Sequence, residues 1–395
     1  MRTYRDLFAT PEFTPFFVAG AFQVAAQTVA GLALGSLVYA STGSPLLSAL
    51  AMFGPSLAQV VGALTLLSAA DRLPPRAALS GLAAFLAVAT AVQATPGLPT
   101  AAALAVVLAQ GVPAALGGGV RYGLLTDILA KDGYLLGRSV VNMSAGACQI
   151  LGFALGGVLV AVTSPRGTLL LAAALYALSA TVARLGLTRR PARAAGRPSL
   201  AATMRDNARL WASPPRRTVY LALWVPNGLI VGCEALFVPY DPAHAGLLYA
   251  CAACGMLAGD TLVGRFVPPR LRARLGAPLR LLLAVPYLLF ATGPALPLAL
   301  IAAAVASTGF AASLLLQEQL LALTPDELSG HALGLHTAGM LTMQGVGALL
   351  AGALAETTSP RTAIALMAAV SVGVTVALAP GLRRAEHATG ELAPR

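Results

Sequence analysis

A chain of 395 residues with 57% hydrophobic and only 10% charged residues is too apolar for a water-soluble domain, in which about 25% of residues are charged. Its mean hydropathy of +0.77 would leave a surface that sticks to its neighbours in water, so the bilayer is the solvent that suits it. The formal charge of +11 does not point to nucleic acid, because the basic residues sit in short loops between apolar blocks and form no stripe interleaved with aromatics.

A membrane helix needs about 20 largely apolar residues. Arg2 and Arg5 precede an apolar run that continues far past the length of a cleavable signal, so the first helix reads as a retained anchor. Pro, Gly and charge clusters then divide the chain into about twelve predicted spans: 13–38, 44–69, 76–94, 99–123, 136–162, 167–186, 218–239, 243–267, 275–293, 296–323, 329–356 and 360–380. The runs are continuous rather than alternating, which argues against barrel strands.

Excess Lys and Arg mark cytoplasmic loops, and alternate connections obey. Arg72 and Arg76 follow the second span; Arg121, Lys131 and Arg138 lie between the fourth and fifth; a dense group from Arg189 to Arg217 lies between the sixth and seventh. Arg265 to Arg280 follow the eighth, and Arg383 and Arg384 the twelfth. The other loops hold only Arg166 and Arg361. Both termini are therefore expected on the cytoplasmic side of the cell membrane. The connection after the tenth span departs from the pattern, offering Asp326, Glu327 and His331.

This predicts an all-α integral membrane protein with an N-terminal six-helix bundle (1–190), a basic linker (191–216) and a C-terminal six-helix bundle (217–395). In the linker, Leu200, Met204, Ala208 and Trp211 recur at helical spacing behind Pro198 and Ser199, with Arg205, Asp206 and Arg209 facing away. An amphipathic helix on the cytoplasmic lipid interface fits this pattern, as does a disordered tether. The halves echo each other. Asp71 and Arg76 end the second span as Asp260 and Arg265 end the eighth, 189 residues later. Gln149, Gly152 and Gly157 recur as Gln344, Gly347 and Gly352, 195 residues later. The four cysteines, Cys148, Cys233, Cys251 and Cys254, lie inside apolar segments and read as small packing residues rather than a disulfide or redox framework.

Twelve spans in six-plus-six form, a basic central loop and the cluster after the second span resemble the major facilitator superfamily, closest to its twelve-helix bacterial exporters. The resemblance covers essentially the whole chain and implies two pseudo-symmetric bundles around a central cavity opened alternately to each side. The family's signature G-x-L-a-D-R-x-G-R-R runs here from Gly62 to Asp71, Arg72 and Arg76, with Pro74 and Pro75 where Gly and Arg are usual. A carboxylate at such a junction can pair with Arg and with a helix N-terminus. The resemblance thus implies a gating latch of Asp71, Arg72, Arg76 and Arg121, repeated at Asp260 and Arg265; a solvated cluster that merely orients the helices is the plainer alternative. The antiporter motif G-P-x-x-G-G reads here Gly152, Phe153, Ala154, Leu155, Gly156, Gly157, with Phe for Pro. Gln110 and Gly111 match the drug–proton exporters, but Val107 replaces their preceding Arg.

Polar residues at membrane depth are costly and default to functional candidates. On the spans that line the family's cavity these are Gln23 and Gln27; Asn142 and Gln149; Tyr220 and Asn227; and His336, Met340 and Gln344. Interhelical hydrogen bonding is the alternative role for each amide. Glu234, seven and fourteen residues beyond Asn227 and Tyr220, is a candidate protonatable group for coupling, or else a glutamate in a wet vestibule beside Asp241 and His244. Glu318 reads as an interfacial charge or a gate residue. Gly117, Gly118 and Gly119 lack the Lys-Ser/Thr of a phosphate loop. His331 and His336, five apart, are poorly spaced for one metal, so no metal site and no cofactor is assigned.

The expected function is secondary transport of a small organic molecule by alternating access, with export of an amphipathic compound favoured and protons as a candidate coupling ion. An importer of a neutral metabolite and a transporter-like sensor or scaffold are the alternatives. An intramembrane enzyme would need clustered nucleophiles, His or paired carboxylates at membrane depth, and none is evident. The resemblance implies a monomer.

Overall fold

The computed structural model describes residues 4–70, 73–129, 131–191 and 200–392. Among them the secondary structure is entirely helical, and twelve helical spans are long and apolar enough to cross a membrane. In the first half these are Phe13–Thr42, Pro45–Ala70, Pro75–Gln93, Thr100–Ile128, Lys131–Thr163 and Pro165–Gly186. Proline opens several of them, because a first-turn residue has no helical partner for the N–H it lacks. Gly43 closes span one in the left-handed conformation, its N–H bonded to the carbonyl of Tyr39.

The second half is less regular. Span seven is Pro214–Ala235 plus a short turn Phe237–Tyr240. Span eight is Ala245–Thr261 and ends in a π-helical turn, Leu262–Phe266. Span nine joins Pro269–Leu282 to a 3₁₀ stretch, Val285–Thr292. Span ten is broken at Gly309–Ala311 between Leu296–Thr308 and Ala312–Ala322. Spans eleven and twelve, Ser329–Thr357 and Pro360–Leu392, are continuous. At the break in span ten a Cβ at Gly309 would meet the backbone of Leu283 and Leu279, so spans nine and ten touch main chain to main chain there.

The chain forms two compact units. The first comprises residues up to Arg197 together with Asp241–Ala250; the second comprises Pro198–Tyr240 and the rest. In the first, span one packs along spans five and six, span two along span four, and span three along span six. In the second, span seven packs along spans eleven and twelve and span nine along span twelve. Gly255 and Gly259 bring span eight against the carbonyls of Ala304 and Thr308 in span ten. The same pairs recur six spans later, as a duplicated unit requires.

The linker contains a helix, Leu200–Ala212, that belongs to the second unit. The face it docks differs from the expected apolar stripe. Met204 and Ala208 are exposed, while Leu210 is fully buried. Trp211 stacks on Trp224 at 5.6 Å and on Tyr220 at 6.2 Å. Asn207 hydrogen-bonds His331 at 2.7 Å, and Arg216 holds the carbonyls of Arg209, Leu210 and Leu323. Indole and guanidinium contacts to the bundle override the simple periodicity.

At the other end of the linker, Glu12 fastens the entrance of span one to the chain leaving span six. It takes both guanidinium nitrogens of Arg190, at 2.6 and 3.1 Å, and the Thr188 hydroxyl at 2.7 Å. Burial pushes the Glu12 carboxyl up, but these hydrogen bonds outweigh it and hold the carboxyl below its ordinary value of 4.5. A depressed carboxyl contributes stability above its unfolded pKa, and that stability is lost as the pH falls through the lower folded value. The gap in thermal stability between wild type and Glu12→Gln is expected to be open near pH 7 and to close as the pH falls below the ordinary carboxylate range. A gap that persists unchanged at acid pH would count against the ion pair.

Candidate functional site

The first unit bears a partly open cavity of about 300 Å³ lined by all six of its spans. Gln23 and Gln27 line it from span one and Asn142 from span five, as expected from the sequence. Gln149, two turns further along span five, does not. The other polar lining residues come from spans that the sequence reading left out: Ser56 and Gln59 on span two, Thr90 and Gln93 on span three, Gln110, Arg121 and Tyr122 on span four, and Tyr176 on span six.

These side chains are partly pre-wired. Gln93 donates to Gln110 at 3.0 Å, and Gln110 donates to Thr90 at 3.1 Å; all three are buried. Tyr122 donates to Asn142 at 3.3 Å. Gly111 makes the arrangement possible, because a Cβ there would strike the carbonyl of Pro55, so spans two and four meet through their backbones. Gln110 is thereby carried toward span three. Tyr249, from the start of span eight, stacks on Phe153 at 4.7 Å and donates to the sulfur of Met52, another cavity residue, at 3.3 Å. Just beyond it Gly246 lies flush against Gly157.

In the second unit the expected polar stripe on span seven divides. Tyr220 is fully buried and donates to the carbonyl of Ala332 at 3.2 Å. Asn227 accepts from Gln344 at 3.1 Å, and the Trp224 indole donates to the carbonyl of His336 at 3.0 Å. His336 is buried, and Met340 and Met343 are half-buried along the same span. These residues knit span seven to span eleven. Glu234 turns away from them. Its Oε1 accepts from the Tyr287 hydroxyl of span nine and the Ser307 hydroxyl of span ten, both at 3.3 Å. A spacing of seven drifts by about 20° per heptad on a straight helix, and Pro226 interrupts span seven as well. Asp241 and His244, the candidate vestibule neighbours, pair with each other at 2.9 Å.

Of the expected latch residues, Asp71 and Arg72 lie outside the described residues. Arg76 opens span three half-buried, its Nε enclosed and without a hydrogen-bond partner among the described residues. Asp260 is half-buried and Arg265 exposed on the π-helical turn, and no ion pair joins them. Arg121 is not at a helix end, because span four runs on to Ile128. Its guanidinium points into the bundle, where it lines the cavity and packs at 5.9 Å from the ring of Phe16.

The family model for the Major Facilitator Superfamily matches residues 16–317. The chain belongs to the major facilitator superfamily. A search of curated protein sequences finds no match. Among solved structures the superfamily fold recurs at low identity. A POT family transporter in complex with 5-aminolevulinic acid superposes with a TM-score of 0.76 at 10% identity, covering 94% of this chain and 96% of that one. The nucleoside transporter NupG gives a TM-score of 0.67 at 14% identity, covering 93% and 98%. A bacterial homolog of the human lysosomal transporter Spinster, in an inward-facing and unoccupied conformation, gives 0.66 at 14%, covering 98% and 94%. Membership makes the chain a multi-pass membrane transporter.

Proposed function

We propose that the protein is a secondary active transporter of the cell membrane that binds a small polar organic solute in the first unit's cavity and exports it by alternating access. The observation that carries this reading is the cavity wall itself. A space of about 300 Å³ suits a solute of modest size, and its amides and hydroxyls converge from six helices. The wall pairs Gln, Asn, Thr and Tyr with apolar residues such as Leu34, Met52, Leu86 and Val107, and its polar half favours, within the amphipathic class expected from sequence, a solute with several hydrogen-bonding groups. The alternation of arginines supports termini on the cytoplasmic side. The resemblance to bacterial exporters supports the outward direction, and Glu234 is the proposed site of proton coupling.

The test is solute flux in proteoliposomes with a defined proton gradient, using a panel of small polyols, sugars, sugar acids and amino-acid derivatives. Gln110→Leu removes the middle of the Thr90–Gln110–Gln93 relay and leaves polar groups unpaired in the wall. It is expected to weaken the apparent affinity for a transported solute by about 10–100-fold, with the protein still monodisperse. Unchanged affinity would place the solute elsewhere.

A further inference from the structure

Among the described residues Arg121 is the one guanidinium that lines the cavity, and it stands in a built seat. A Cβ at Gly20 would overlap the Arg121 guanidinium, so glycine in span one is what leaves room for it. Phe16 packs beside it and Gln23 lines the same space. Tyr122 and Asn142, the neighbouring polar pair, hydrogen-bond each other rather than Arg121. Among the described residues no carboxylate lies within ion-pair distance of Arg121.

A guanidinium drawn in among helices is costly unless a counter-charge meets it, and charged residues inside a membrane bundle tend to face cavities and mark solute pathways. Removing an arginine from water without a partner forfeits its hydration; a planar fork facing a cavity regains it from a carboxylate, which it holds with two parallel hydrogen bonds. We propose that Arg121 is the anchor for a carboxylate group of the transported solute, so that the solute is a small organic monoanion whose remaining hydroxyl or amide groups are read by the glutamines. This deepens the function proposed above and rests on the same cavity being the solute site. A single guanidinium favours one negative charge over a dicarboxylate or a phosphate ester.

The test is ligand-dependent thermal unfolding of the full-length protein in detergent, at fixed pH and ionic strength. The probes are sodium gluconate and sodium acetate, against sorbitol in sodium chloride as the neutral match. The expected result is a concentration-dependent rise in Tm with gluconate, weaker with acetate, absent with sorbitol, and lost in Arg121→Met. Arg121→Lys keeps the charge without the fork and is expected to bind gluconate about tenfold more weakly; it decides the matter if the Met variant does not fold. A wild type with no carboxylate-specific rise overturns the proposal, as does a variant that responds like wild type. Flux is read separately. A carboxylate response without flux would defeat the transport reading and leave the anchor, whereas flux of a neutral solute without any carboxylate response would do the reverse.

Discussion

Glu234→Gln is expected to abolish accumulation of solute against its gradient while leaving exchange down the gradient intact. The amide has the shape of the protonated acid, and its oxygen can still accept from Tyr287 and Ser307. What it cannot do is release a proton. The location gives the carboxyl leverage. Its two partners lie on span nine and span ten, in or beside segments where the helix is not regular: the Val285–Thr292 stretch holds Tyr287, and Ser307 precedes the break at Gly309–Ala311. Span seven itself breaks right after Glu234, between Ala235 and Phe237. A change of charge there acts on three helices that can bend locally, which is what a conformational switch needs. A driving force of 100 mV contributes about 2.3 kcal/mol per proton, roughly a fiftyfold concentration ratio. The mutant ratio is expected to fall to one. Wild-type accumulation in the mutant would remove Glu234 from the coupling path, and loss of exchange as well would mean that it serves binding or folding instead.

The spans were legible in the sequence because apolar runs of membrane length leave few alternatives, and because arginines in alternate loops expose any miscount. The relay at Thr90, Gln93 and Gln110 was not. An amide in a membrane helix marks a costly residue, but the spacing along one helix does not say which neighbour it meets. Here that is decided by Gly111 letting span four close on span two at Pro55. Arg121 was read with the charge cluster near the end of span four for a related reason. A charge ordinarily signals the water interface, and only the packing of Gly20 shows that the bundle has room for one inside. The divergence of Glu234 from Tyr220 and Asn227 needed helical drift and a proline to be combined with the positions of spans nine and ten. Trp211 was placed on the correct helix, yet its partners Trp224 and Tyr220 lie on another segment that periodicity cannot see.

Gly347→Val is expected to cost the second unit its fold. The glycines that recur between the halves, Gly152 with Gly347 and Gly157 with Gly352, read in sequence as an echo of a motif, and in the structure Gly152, Gly157 and Gly347 sit where helices pack closely. A Cβ at Gly347 would overlap the carbonyl of Gly228. Gly228 in turn lies against the carbonyl of Met343, and Gly232, one turn on, against the carbonyl of Gly347. Spans seven and eleven therefore touch backbone to backbone, Gly228 and Gly232 of span seven lying against the main chain of Met343 and Gly347. No side-chain rotation relieves a clash with main chain, so valine must push the two helices apart. That separation strains the Asn227–Gln344 and Trp224–His336 hydrogen bonds along the same seam. Overpacking alone costs about 1–3 kcal/mol, and each hydrogen bond broken in the interior adds roughly 1 kcal/mol or more. The sum is a large part of the 5–15 kcal/mol or so that holds a typical protein folded. Gly373→Val on span twelve is the matched control, because a Cβ at Gly373 meets open space. Membrane-extracted yield and Tm of the Gly347 variant are expected to collapse while those of the Gly373 variant stay near wild type. Equal behaviour of the two would mean that spans seven and eleven do not meet through these glycines.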